Sequence, residues 1–119
     1  ATLADGTRMA LLANIGRVQD AKRAVSANAD GVGLFRTEFL FLDRDEEPSV
    51  EEQTQAYRDT FACFPGKKVV VRTIDAAADK PLPFLTDADE PNPALGVRAW
   101  RTSWEKPQVL AAKSFLFSL

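Results

Sequence analysis

The chain has 119 residues, enough for one domain, and its 45% apolar content is that of a globular protein and excludes a disordered one. Fifteen basic against seventeen acidic residues leave a formal charge of −2, without the basic field that nucleic-acid binders carry, so no nucleic-acid partner is expected. There is no histidine, which removes that side chain from every acid, base, nucleophile and metal-ligand role.

No apolar run approaches the roughly 18–20 residues of a membrane helix, so no membrane span is expected. The opening stretch ATLADGTRMALLANIG lacks a basic segment followed by an apolar run and a small-residue cleavage site, so a secretory signal is not expected either. The single cysteine, Cys63, cannot form an internal disulfide and suits a reducing, cytoplasmic setting.

In chain order, RMALLANIG (8–16) reads as a short apolar strand. GRVQDAKRAVSANADG follows, with Val18, Ala21 and Val25 at the three- and four-residue spacings of an amphipathic helix, and Asp30-Gly31 punctuates its end. VGLFR (32–36) is the second strand. Ser49 and Glu52 have capping-box spacing and predict a helix start, with Val50, Tyr57, Phe61 and Phe64 on one face and Pro65-Gly66 as the stop. KKVVVR (67–72) is a third strand whose β-branched run has no polar alternation, the pattern of a strand buried on both faces of a parallel sheet. Asn92 is placed to cap a further helix with Pro93 at its first position, and a second helix follows an interruption near Pro107. Alternating strand and helix predicts an α/β fold. Three βα units neither close a barrel of eight strands nor protect a sheet edge, so residues 1–119 read as one piece of a larger domain.

The chemistry gathers at the strand ends. Arg36 and Arg72 each directly follow an apolar strand and each precede a threonine. Consecutive strands of a parallel unit point the same way, which puts both arginines on the carboxyl rim where such folds bind ligands. A guanidinium fork matches the oxygens of phosphate and carboxylate. The alternative is two structural ion pairs, and Glu38 is placed as well to pair with an arginine as to take a proton. Asp75, Asp79 and Lys80 follow the third strand; Asp75 is placed to orient an arginine and Lys80 to add a compact positive charge. Two aspartates also suggest Mg²⁺, but so loose a spacing does not specify a site. Cys63, late in a helix among apolar neighbours and with no histidine to activate it, reads as packing.

Three stretches, GVGLFRTEFLFLDRDEEPSVEEQTQAY, VVVRTIDAAADKPLPFL and EPNPALGVRAWR, together with the upstream ANIG, resemble the start of the C-terminal domain of enzyme I of the bacterial phosphotransferase system, the phosphoenolpyruvate–protein phosphotransferase family. The likeness runs from about residue 5 to residue 101, with the motifs in the family's order. It implies an incomplete (β/α)8 TIM barrel, about its first three βα units with a helical C-terminal segment. It further implies a phosphotransferase that moves the phosphoryl group of phosphoenolpyruvate to a protein histidine and on to the phosphocarrier HPr in sugar uptake, with Mg²⁺ as cofactor and a homodimer as the parent assembly. By the same resemblance Arg36, Arg72 and Arg98 bind the substrate, Asp75 and Lys80 belong to the supporting loop, and the catalytic residues and metal ligands lie outside this chain. Pyruvate phosphate dikinase and phosphoenolpyruvate synthase share the barrel and a strand-end arginine like Arg36, but RTIDAAADK is similar to the RTLDIGGDK pattern of enzyme I. The chain departs from that pattern at Ala77 and Ala78, where the family has glycines, and again in AAKSFLFSL. A piece of this kind is expected to be inactive in isolation.

Overall fold

The computed structural model describes residues 1–42, 44–75, 82, 85, 89, 91, 92 and 95–116, with the side chains of 112–116 excepted. The elements are β1 (Leu12–Ile15), α1 (Val18–Ser26), β2 (Gly31–Arg36), a 3-10 turn (Thr37–Leu40), α2 (Val50–Ala62), β3 (Val69–Arg72), α3 (Trp100–Glu105) and α4 (Pro107–Leu116). The three strands form one parallel sheet in the order β1-β2-β3. The α/β class expected from the alternation of elements is therefore observed, as a set of βα units compatible with part of a larger array.

Local chemistry accounts for the helix boundaries. At the start of α1 the Asp20 carboxylate accepts from the backbone N–H groups of Gly16 and Arg17, each at 3.0 Å, which satisfies donors that precede the helix. The helix ends at Ser26, and the chain breaks away at Asn28, two residues before the expected Asp30-Gly31 break. Asn28 takes a left-handed φ of 58°, and Asn28 N–H and Ala29 N–H donate back to Val25 and Ala24 at 2.9 and 3.0 Å. Asparagine tolerates that conformation because its short polar side chain bonds locally. Asp30 serves the sheet instead. Its carboxylate and its N–H both bond Leu11, at 2.9 and 2.7 Å, and tie β2 to the start of β1.

The capping box of α2 is formed as its spacing predicts. Ser49 Oγ accepts from Glu52 N–H at 3.1 Å, and Glu52 Oε2 accepts from Ser49 N–H at 2.9 Å. A box of this kind stabilises a helix start by about 1 kcal/mol. Along the apolar face, Tyr57 and Phe64 are buried, and Val50 packs against them at the margin of the core. Phe61 stays partly exposed, stacked on Tyr57 with ring centres 6.3 Å apart.

The main core lies where α1 and α2 cover the sheet: Ile15, Ala21, Val32, Phe35, Tyr57 and Phe64 are all buried there. Phe35 meets the Tyr57 ring edge-on at 5.7 Å, and burial pushes the Tyr57 phenol up to about 12. Each large side chain buried in this way contributes about 1.5–3 kcal/mol. Cys63 belongs to the edge of this cluster and its Sγ donates to the Asp59 carbonyl at 3.3 Å, in keeping with a packing role. A second cluster is built from segments that follow the strand ends, with Phe41, Ile74, Leu82, Leu85 and Val109 buried together.

Two expectations are corrected. β3 is not buried on both faces: Val70 is 38% exposed and its neighbours are only half-buried. Among the described residues β3 is an edge strand with one paired neighbour, so its apolar run is only partly covered. The helix expected from Asn92 begins instead at Trp100. Asn92 C=O accepts from Leu95 and Gly96 at 3.0 and 2.8 Å, closing a single turn. The turn does not propagate, and Ala99, at a φ of 51°, breaks the backbone path just before α3. Pro93 lies outside the described residues.

Candidate functional site

The strand ends bring the two predicted arginines together. Arg36 closes β2, Arg72 closes β3, and the two are register partners across the parallel ladder. Both Cα atoms therefore sit at one level of the carboxyl rim. Gly31 lets β2 and β3 approach this closely, because a Cβ there would lie 2.4 Å from the Lys68 carbonyl oxygen.

The chain leaves β2 directly into the 3-10 turn, and consecutive residues of that turn hold both arginines. The Thr37 hydroxyl donates to the Arg72 carbonyl at 2.8 Å. Glu38 is buried, and its Oε1 accepts from Arg72 Nη2. The Phe39 ring lies under the Arg36 guanidinium, 4.7 Å from the ring centre to Cζ. A cation over an aromatic face is stabilised by about 0.5–2 kcal/mol, more as water is excluded. Gly16, at the end of β1, makes room for that ring: a Cβ on Gly16 would come within 2.8 Å of Phe39 Cγ. All three strand ends thus converge on one short turn.

Arg98 reaches the same rim from the segment before α3. Its Nε and Nη2 donate to Asp75 Oδ1 and Oδ2 at 2.9 and 3.3 Å, a side-on pairing in which both carboxylate oxygens are used. The hydrogen bond from Arg98 holds the Asp75 carboxyl below its ordinary value, with the charges of Arg98 and Arg72 acting in the same direction and partial burial opposing them. Cations and carboxylates therefore alternate along the rim as Glu38, Arg72, Asp75 and Arg98. Lys80 lies outside the described residues, as do Ala77, Ala78 and Asp79.

Three buried polar atoms on this rim have no hydrogen-bond partner among the described residues: Arg36 Nε, Glu38 Oε2 and Arg72 Nε. Arg36 also has no carboxylate within ion-pair distance among them. Buried donors are normally satisfied, and a cluster of unmet ones marks a place where water, an ion or a ligand completes the set. Two arginines with unspent donors at one level suit an anion with two or more oxygens.

Among the described residues no group of three or more acidic or cysteine side chains is placed to hold a metal ion, and the chain has no histidine.

Thr37 and Phe39 have roles in this site that the sequence alone did not assign. The one signal was their position, since both stand in the unbroken RTEF run beside Arg36 and Glu38. Asp75 does orient an arginine, and the partner is Arg98, which is 23 residues away in the chain.

Comparison with known proteins shows the family. A family model described as PEP-utilising enzyme, PEP-binding domain, matches residues 1–114. The phosphoenolpyruvate-protein phosphotransferase of Streptomyces coelicolor is 60% identical over 107 residues, which cover 89% of this chain and 19% of that protein. The proteins of the same name from Haloferax volcanii and Staphylococcus carnosus are 53% and 45% identical over 100 and 106 residues, covering 84% and 89% of this chain. The chain spans about a fifth of the length of these relatives. It belongs to the family of PEP-utilising enzymes and corresponds to part of their PEP-binding domain.

Proposed function

We propose that this chain supplies the anion-binding rim of a phosphoenolpyruvate–protein phosphotransferase, with Arg36 and Arg72 receiving the phosphate and carboxylate of phosphoenolpyruvate. The observation that carries this is Arg36, whose cation rests on an aromatic ring and which, among the described residues, has a buried Nε without a partner and no carboxylate within ion-pair distance. Such an arginine is poised for an external anion. Arg98 and Asp75 form the neighbouring wall.

The three parallel βα units belong, on this account, to an incomplete (β/α)8 barrel whose remaining strands lie in the rest of the enzyme. The phosphoryl group passes to a protein histidine and on to HPr, in sugar uptake by a cytoplasmic homodimer. The acceptor histidine is elsewhere, since this chain has none. Mg²⁺ is, on this reading, held by residues of the larger enzyme. The names of the relatives support this function over that of a dikinase.

In phosphoryl transfer the protein contributes chiefly positioning and electrostatic stabilisation, and fixed guanidinium groups supply both. A non-catalytic scaffold is the contrasting reading, favoured by the Glu38–Arg72 and Asp75–Arg98 pairs. Arg36 separates the two, because a scaffold has no use for a half-buried cation without a carboxylate partner, and among the described residues Arg36 has none. The test uses a chimera in which this chain replaces the matching segment of the full-length Streptomyces coelicolor relative. Arg36→Ala and Arg72→Ala should each lower its turnover with phosphoenolpyruvate by about 100-fold or more, the scale of losing one preorganised donor. Near-normal turnover in both variants would defeat the proposal.

A further inference from the structure

The two ion pairs of the rim are built differently. Asp75 takes Arg98 side-on and uses both carboxylate oxygens. Glu38 takes Arg72 by one corner, Nη2 to Oε1, and leaves Glu38 Oε2 and Arg72 Nε buried without partners among the described residues. Pairing of the first kind spends the guanidinium fork on the protein. Pairing of the second kind fixes the group's orientation and leaves most of its five N–H donors for something else.

Burying a carboxylate is costly, and one that is 8% exposed with an oxygen left unmet is a poor device for stability alone. The same turn also secures the backbone of Arg72, through the Thr37 hydroxyl on its carbonyl. Arg72 is thus held at its Cα end by Thr37 and at its charged end by Glu38. A guanidinium immobilised before its ligand arrives loses less entropy on binding and meets the ligand in one geometry.

We infer that Glu38 is a positioning residue for phosphoenolpyruvate binding, acting through Arg72 rather than on the substrate. The inference rests on the function proposed above for the rim. It assigns the glutamate of RTEF to substrate affinity, where an ion pair of purely structural use would affect only folding.

The test is a double-mutant cycle in the same full-length chimera, read as KM and kcat for phosphoenolpyruvate alongside thermal unfolding. Glu38→Gln keeps the side chain's shape and its acceptor oxygen but removes the charge. It should raise KM about tenfold, the scale of weakening one charge-assisted hydrogen bond, while the unfolding midpoint stays near that of the parent. Arg72→Lys should raise KM by more, and adding Glu38→Gln to it should raise KM little further, because two residues that act through one contact are not additive. Should Glu38→Gln fail to fold, Glu38→Asp runs the same cycle, since it keeps the charge and loses the reach. Additive losses, or an unchanged KM in a folded Glu38 variant, overturn the inference while an Arg72 effect leaves the rim's function standing. An unchanged KM in Arg72→Lys overturns the inference, and the rim's function falls only if turnover is also near normal in both Arg36→Ala and Arg72→Ala.

Discussion

Arg36 and Arg72 are register partners at the ends of adjacent parallel strands, and one turn of four residues governs both of their side chains. Two guanidinium groups brought to one level of a rim repel each other. The turn answers this unequally, giving Arg72 a buried carboxylate and Arg36 only the face of a ring. Among the described residues no carboxylate lies within ion-pair distance of Arg36.

The spacing of β2 and β3 depends on Gly31. A Cβ there meets a backbone oxygen at 2.4 Å, and backbone cannot yield as a flexible side chain does. Gly31→Ala should destabilise the chimera by about 1–3 kcal/mol and disturb the register that aligns the two arginines. Gly33→Ala is the comparison, since its Cβ meets Leu12 Cβ at 3.1 Å and comes no closer to a backbone atom than 3.9 Å, at the Ala13 carbonyl oxygen, and Leu12 lies at the surface. Urea unfolding midpoints measure the difference, and equal midpoints would show that the strands are not held this close.

Asp75 gives the rim a signature in acid. Its carboxyl is held below the ordinary 3.8, first by the Arg98 hydrogen bond and then by the charges of Arg98 and Arg72. A carboxyl depressed in the folded state contributes stability that is present above the unfolded value and disappears as pH falls through the lower folded one. The contribution of the Asp75–Arg98 pair is therefore complete above about pH 4 and declines below it. Carbon-detected titration of Asp75 should give a midpoint below 3.8 that Arg98→Gln moves upward. A midpoint that Arg98→Gln does not move would mean the pair is not formed in solution.

Several parts of this structure could be read along the chain because short-range chemistry decides them. The Ser49–Glu52 box, the apolar face through Tyr57 and Phe64, and the arginine that ends each of β2 and β3 are all set within a few residues. Other parts depend on distant neighbours. Nothing in VVVR indicates how many partners the strand has, so the exposure of Val70 was not visible. The break at Asn28 after α1 competed with a stronger-looking Asp-Gly two residues later, and the tie from Asp30 to Leu11 explains why that pair serves the sheet. Asp75 and Arg98 meet across 23 residues, a distance at which no periodicity operates. The aromatic support of Arg36 was hidden for a different reason: a phenylalanine in an apolar run reads as core, and only the geometry shows the cation above it.

The isolated chain should associate with itself. Among the described residues β1 and β3 each have one paired neighbour, and Leu95, Trp100 and Trp104 are 72%, 62% and 73% exposed. Open strand edges and large exposed apolar side chains favour association. Sedimentation velocity over a wide concentration range should show mass increasing with concentration. A compact monomer at every concentration would mean that these surfaces are covered within the chain.

The most direct measurement of the central claim is a crystal structure of the full-length chimera with phosphoenolpyruvate bound. The expected result is phosphate or carboxylate oxygens within hydrogen-bond distance of both Arg36 and Arg72, with Glu38 still on Nη2 of Arg72 and the Arg36 guanidinium still over Phe39. Phosphoenolpyruvate bound in the enzyme with neither arginine in contact would contradict it.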